Sequence, residues 1–176
     1  MNFGYTTDRL YLRILDETSA DKILEFYKMG KDVFSKVEPE KSSSFYTLSY
    51  QSTLANREFK AFLDGTYMRY YLFDIAEPDT IIGTVSFSYF MPMPYYSCII
   101  GYKLLPKYCK KGYATEVCEA VMDYARGAGL GYEKLHCFVW EGNVASMALL
   151  ERRGFSYCGK RWREGREMLV YEIALA

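Results

Sequence analysis

The sequence is short of the residues that bind metals. Its only histidine is His136, and its five cysteines, Cys98, Cys109, Cys118, Cys137 and Cys158, form no C-x-x-C pair. That pattern excludes the usual zinc-ligand spacings. An odd cysteine count, with no basic-then-apolar leader at the start, argues against secretion and a disulfide framework and points to the cytoplasm. No apolar run approaches the ~18 residues that a membrane span needs. Neither charge is in surplus, with 22 Lys plus Arg against 22 Asp plus Glu. The broad positive field of a non-specific nucleic-acid binder is therefore missing, and any anion site must be local.

Bulk is abundant instead. Half of the residues are apolar, and 18 Tyr with 11 Phe supply a well-filled core. A length of 176 residues, with no repeat or low-complexity tract, suits one domain spanning 1–176.

The chain opens on Arg9 to Ile14, where Leu10, Leu12 and Ile14 alternate as on a half-buried strand. Thr18 and Asp21 approximate a capping box for a helix whose apolar face is Ala20, Ile23, Leu24 and Tyr27, with Gly30 as its expected stop. Residues 31–44 read as a loop or short helical turn, and 45–63 as a second helix. Residues 67–73 and 80–87 form a hairpin around Glu77-Pro78-Asp79. After the proline break at 91–94 comes a strand over 96–105. A helix over 115–128, a strand over 135–140 and a helix over 144–153 follow, the last with Asn143 as N-cap and Gly154 as its C′ glycine. The strand at 157–163 pairs with the apolar tail at 167–175. This order predicts an α+β fold with a mixed central sheet of about seven strands flanked by four helices.

Two strand–loop–helix junctions stand out. In the first, Cys109-Lys110-Lys111-Gly112-Tyr113-Ala114-Thr115 joins a strand to a helix N-terminus. Free backbone N–H groups and the helix dipole converge there with two lysines. Lysines oppose the dipole at that end, so an anion accounts for them better than solvent does. A phosphate suits the place. The P-loop alternative lacks G-x-x-x-x-G-K-[ST] and an acidic metal-holding partner. The second junction, Glu141 to Ser146, gives the following helix a polar start, and Leu149 to Phe155 completes it.

These two junctions together resemble the GNAT superfamily of acetyl-CoA-dependent N-acetyltransferases, and within it the branch that includes ribosomal-protein N-terminal acetyltransferases. The opening Thr7-Asp8-Arg9-Leu10-Tyr11-Leu12-Arg13 resembles the first strand of that branch, and the order of elements matches the GNAT fold over nearly the whole chain. The resemblance implies acetyl-CoA as acetyl donor with no metal, an amine acceptor, no nucleic-acid or membrane partner, and a monomer or homodimer.

The superfamily's Q/R-x-x-G-x-G/A signature falls on Cys109 to Ala114. Cys109 departs from it, while Gly112 leaves room for the phosphate and Ala114 lets loop and helix pack closely. Resemblance also places the pantetheine arm against the backbone of Tyr102, Lys103 and Leu104, and the first two helices in the acceptor wall. The tyrosine acid used by many members aligns with Leu150, which has no proton to give. The branch's serine three residues after Asn143 is present as Ser146, the expected hydroxyl at the coenzyme sulfur, with Asn143 a polar contact on the coenzyme side. His136 is the candidate base by residue type, and Glu38, Glu40 and Glu141 are further carboxylates to weigh. Cys137 reads as core and not as a ping-pong nucleophile. A non-catalytic acyl-CoA-binding or sensing module is the rival reading, motivated by the missing tyrosine and the unassigned base.

Overall fold

The structure, a computed structural model, describes residues 3–91, 95–127, 132–163 and 165–175. Its strands are β1 (Gly4–Thr6), β2 (Leu10–Ile14), β3 (Met68–Asp74), β4 (Glu77–Met91), β5 (Ser97–Leu104), β6 (Lys134–Val139), β7 (Ser156–Arg163) and β8 (Arg166–Ala174). Its helices are α1 (Ala20–Phe34), α2 (Leu48–Leu63), α3 (Tyr113–Arg126) and α4 (Val144–Arg152). One eight-stranded sheet runs β1-β2-β3-β4-β5-β6-β8-β7. The eighth strand, β1, is three residues long, too short for alternation to announce it, and exists by pairing Gly4 to Thr6 with Arg13 to Tyr11. The Pro92 to Pro94 part of the expected break and Gly129 lie outside the described residues.

Alternation along β3 sends side chains to both faces of the sheet. Tyr70 meets Tyr124 of α3, whereas Arg69 reaches Tyr27 of α1 and Glu58 of α2. Helices α1 and α2 therefore cover one face and α3 the other. An ion pair from Arg153 to Glu119 sets the end of α4 beside α3. Phe26, Phe62, Tyr70 and Phe87, all fully buried, anchor the core.

Two helix boundaries differ from the sequence reading. Helix α1 continues through Gly30 to Phe34. A Cβ on Gly30 would lie 2.0 Å from the Phe34 ring, so this glycine makes room for an aromatic on its own helix face and stops nothing. The expected Thr18–Asp21 box is replaced by Asp16. Its carboxylate accepts from the Thr18 N–H at 3.0 Å and the Thr18 hydroxyl at 2.5 Å, capping a short 3-10 turn at Glu17–Ser19. Likewise 45–63 divides into a 3-10 turn and α2, whose N-cap Thr47 accepts from the Tyr50 N–H at 3.3 Å.

All neighbouring strands are antiparallel except β5 and β6, which pair in parallel from Ser97↔Lys134 to Ile100↔Cys137. Beyond Ile100 they part. Strand β5 stays with β4 as far as Gly83↔Leu104, and β6 stays with β8 as far as Val139↔Leu169. A wedge opens between them. Gly83 holds one wall, because a Cβ there would stand 2.5 Å from both the Lys103 carbonyl oxygen and Leu104 Cδ2. Gly83→Ala should therefore destabilise the fold by about 1–3 kcal/mol through overpacking, read as a lower urea midpoint with an unchanged slope.

Candidate functional site

A cleft of about 620 Å³ passes through the wedge, within the ~300–1,000 Å³ typical of ligand sites. Tyr102, Asn143 and Ser146 line it from the α3–α4 side, and Glu38, Glu58 and Lys103 from the α1–α2 side. Asn143 is the N-cap of α4, its side-chain oxygen accepting from the Ser146 N–H at 3.3 Å. That cap aims Ser146 inward. The Ser146 hydroxyl lies 2.7 Å from the Tyr102 hydroxyl, which reaches it from β5. Burial pushes the Tyr102 phenol well above its ordinary range, so it stays neutral at physiological pH and can donate. Leu150 is fully buried, yet a phenol stands beside Ser146 after all, delivered by a strand.

The loop after β5 lies beyond the cleft's lining. Lys110 (φ 59) and Gly112 (φ 86) both adopt left-handed backbone, a bend that lets successive N–H groups converge as in an anion nest. Gly112 is the N-cap of α3 with no side-chain cap bond, so the first N–H groups of Tyr113, Ala114 and Thr115 are left for a ligand or water. Lys110 and Lys111 are exposed, while Ala114 packs against the core. Cys109 is exposed, its thiol 3.6 Å from the Leu105 carbonyl oxygen.

Arg9 is the residue of this loop that spacing alone could not reveal. Its Nη1 donates to the Lys111 carbonyl at 2.9 Å and its Nε to Glu116 at 2.7 Å, and its guanidinium stacks 4.4 Å from the Tyr113 ring centroid. The Tyr113 hydroxyl donates to Asp74. A Cβ on Gly112 would sit 3.1 Å from Arg9 Nη2, so a side chain there would press on this clamp. The sequence reading instead had it filling the phosphate's space.

The remaining predicted residues separate. Leu104 is buried opposite Gly83. Lys103 points toward α1 and pairs with Glu38; desolvation lowers its pKa against the opposing pull of Glu38. His136 is absent from the cleft's lining. It lies on the opposite face from Cys137, with Nδ1 3.5 Å from Glu172, and burial lowers its pKa despite that carboxylate. Cys137 is buried, its thiol pushed up to about 12 by desolvation, which leaves no thiolate for covalent catalysis. Glu38 lines the cleft, whereas Glu40 and Glu141 do not. A network the sequence did not reveal joins Arg69 to Tyr27, Tyr67 and Glu58. Its members lie on α1, α2, β3 and the residue before β3, with no shared local motif. Among the described residues no group of three or more His, Cys, Asp or Glu side chains is arranged to hold a metal.

Two measurements follow from this geometry. Asn143→Ala should cost about 0.5–2 kcal/mol of stability through loss of the cap, seen as a lower melting temperature. Glu116 offers a pH signature. Burial disfavours its charge, but bonds from the Thr7 hydroxyl, the Arg9 N–H and the Arg9 guanidinium outweigh that and hold its carboxyl below the ordinary carboxylate range. Its contribution is therefore complete above that range and drains away as pH falls through the folded-state pKa. Glu116→Gln should lose about 1–3 kcal/mol at pH 7, and its melting temperature should converge with the parent's in acid.

Comparison with known proteins agrees with this architecture. The chain is 29% identical over 121 residues to the ribosomal protein uS5-alanine N-acetyltransferase of Escherichia coli (strain K12), a stretch covering 68% of this chain and 61% of that protein. The match thus spans less than two thirds of the curated relative's length. The ribosomal-protein-S5-alanine acetyltransferase of Vibrio fischeri superposes with a TM-score of 0.87 at 18% identity, over 98% of this chain and 97% of the other. The microcin C7 self-immunity acetyltransferase, solved with acetyl-CoA and AMP, gives 0.80 at 18% identity, over 96% and 93%. At such identities these structures show a common fold. The acetyltransferase (GNAT) domain family matches residues 9–156, and the chain belongs to that family.

Proposed function

We propose that the protein transfers an acetyl group from acetyl-CoA to a primary amine, the N-terminus of a polypeptide, by direct attack within a ternary complex in the cytoplasm. The observation that carries this reading is the Ser146–Tyr102 hydroxyl pair, 2.7 Å apart, at the N-terminus of α4 in a cleft that crosses the sheet. Family membership supports it, as does the acetyl-CoA bound by the microcin C7 self-immunity acetyltransferase. The uncapped loop at 110–115 suits the coenzyme's pyrophosphate, and the parted β5 edge suits its pantetheine arm. The thioester then falls near Ser146.

The chemistry follows from these placements. A neutral amine attacks the thioester carbon, a C–N bond forms, the C–S bond breaks, the leaving thiolate takes a proton, and the nitrogen gives its surplus proton to solvent, from which the donor is replenished. Ser146 supplies that proton and recovers one from Tyr102, whose neutral phenol is the reservoir. The helix N-terminus beneath Ser146 stabilises the developing negative charge. Glu38 and Glu58 are each engaged in an ion pair, with Lys103 and Arg69 respectively. The sensing-module reading drew on the absent tyrosine at Leu150 and on an unassigned base, and Tyr102 answers the first of these with a phenol beside Ser146.

Ser146→Ala should lower kcat by ~10–100-fold with little change in acetyl-CoA affinity. Tyr102→Phe should lower kcat less, since Ser146 can still exchange with water. Free-thiol release and isothermal titration of acetyl-CoA measure the two quantities. Parental turnover in Ser146→Ala would remove the hydroxyl pair from the mechanism.

A further inference from the structure

The chain as a whole is neutral, but its cleft is not. Six basic side chains and two carboxylates line it among the described residues. Lys103 is neutralised by Glu38 and Arg69 by Glu58. Lys41 lies 3.9 Å from that same Glu38. Neither Arg57 on α2 nor Arg166 on β8 has a carboxylate partner among the described residues. Arg166 donates from Nη2 to the Val37 carbonyl at 2.6 Å, stacks 4.9 Å from the Trp140 ring and leaves its buried Nε without a partner. Arg163 on β7 sits over the Tyr89 and Phe138 rings. Collecting cations in one partly enclosed space disfavours each of them unless an anion arrives to offset the repulsion.

The coenzyme is not that anion. Its phosphates belong at Lys110 to Thr115, and none of those residues lines the cleft. Arg57 and Arg166 come from α2 and β8, around the part of the cleft the acceptor must use. The same field has a second effect, because it disfavours a positive ammonium and so delivers the amine in the neutral form that attack requires.

We propose that the acceptor is a polypeptide N-terminus carrying acidic side chains in its first few residues, with Arg57 and Arg166 as specificity-determining contacts. This rests on the transferase reading above and names the acceptor class for it. An extended chain advances about 3.3 Å per residue, so carboxylates at the second to fourth positions reach the cleft's rim while the amine stands at the thioester.

The test is a set of synthetic peptides sharing one N-terminal residue and differing only in the next three: Asp and Glu, their amides Asn and Gln, or Lys. Aminoethyl phosphate serves as a small anionic amine. Acetylation is followed by mass, and binding of each probe to the CoA-loaded protein by calorimetry. The acidic peptide should exceed the amide peptide about tenfold in kcat/KM, with the margin shrinking at high salt. Arg57→Gln, an exposed position where folding is not at stake, should reduce the acidic-to-amide ratio about twofold to fivefold. Equal rates across the peptides, or a preference for the lysine peptide, would overturn the proposal. Acetylation of aminoethyl phosphate but of no peptide would also overturn it, by showing a small anionic amine as acceptor. Should nothing be acetylated while the acidic peptide alone binds, the acceptor class stands and the transferase reading falls. Should no peptide bind preferentially, the acceptor class falls.

Discussion

Everything chemical in this molecule depends on two strands parting. Strands β5 and β6 hold together only from Ser97 to Ile100, and each then follows its other neighbour. A continuous sheet would bury its faces and leave no passage. A wedge leaves backbone on both sides able to meet a ligand, and it brings side chains from the two faces of β5 into one space. Tyr102 meets Ser146 on one side, and Lys103 meets Glu38 on the other. The wedge stays open because each wall is fixed elsewhere, by the close contact of Gly83 with β5 and by the β6–β8 ladder.

The electrostatics divide along the same wedge. On one side stand neutral hydroxyls, with Tyr102 kept neutral by burial; on the other, a set of cations only partly matched by carboxylates. In the proposed transfer a leaving thiolate and an incoming amine would make opposite demands, a proton for one and the loss of a proton for the other. The two faces of the sheet place different side chains at the two sides of the cleft to meet them.

Much of this was legible in the sequence where local physics decides the outcome. The alternation of Leu10, Leu12 and Ile14 gave β2, the Asn143 cap and Gly154 bounded α4, and the loop glycine with its two lysines located the uncapped end of α3. Gly30 misled because a glycine has two uses, and only the Phe34 ring decides between stop and packing space. Thr18 misled because Asp16 offered it a nearer carboxylate. The residues that pattern reading could not place are those defined by distant partners. Tyr102 was expected to offer its backbone, and only Ser146, 44 positions on, gives its hydroxyl a role. Arg69 meets Glu58 from α2 and the phenols of Tyr27 and Tyr67, partners that no local pattern announces. His136 was chosen by residue type alone, and strand geometry turns it toward Glu172.

Arg9 ties the beginning of the chain to the loop before α3, meeting Glu116 across 107 positions of sequence. The loop's final shape therefore depends on a side chain more than a hundred residues earlier in the sequence. A chain cut short of Glu116 could still pair β1, β2 and β3, yet Arg9 would lack its carboxylate partner. Conversely, a proteolytic nick or bulky fusion ahead of Arg9 would act at a distance, loosening a loop more than a hundred residues away while leaving the core intact.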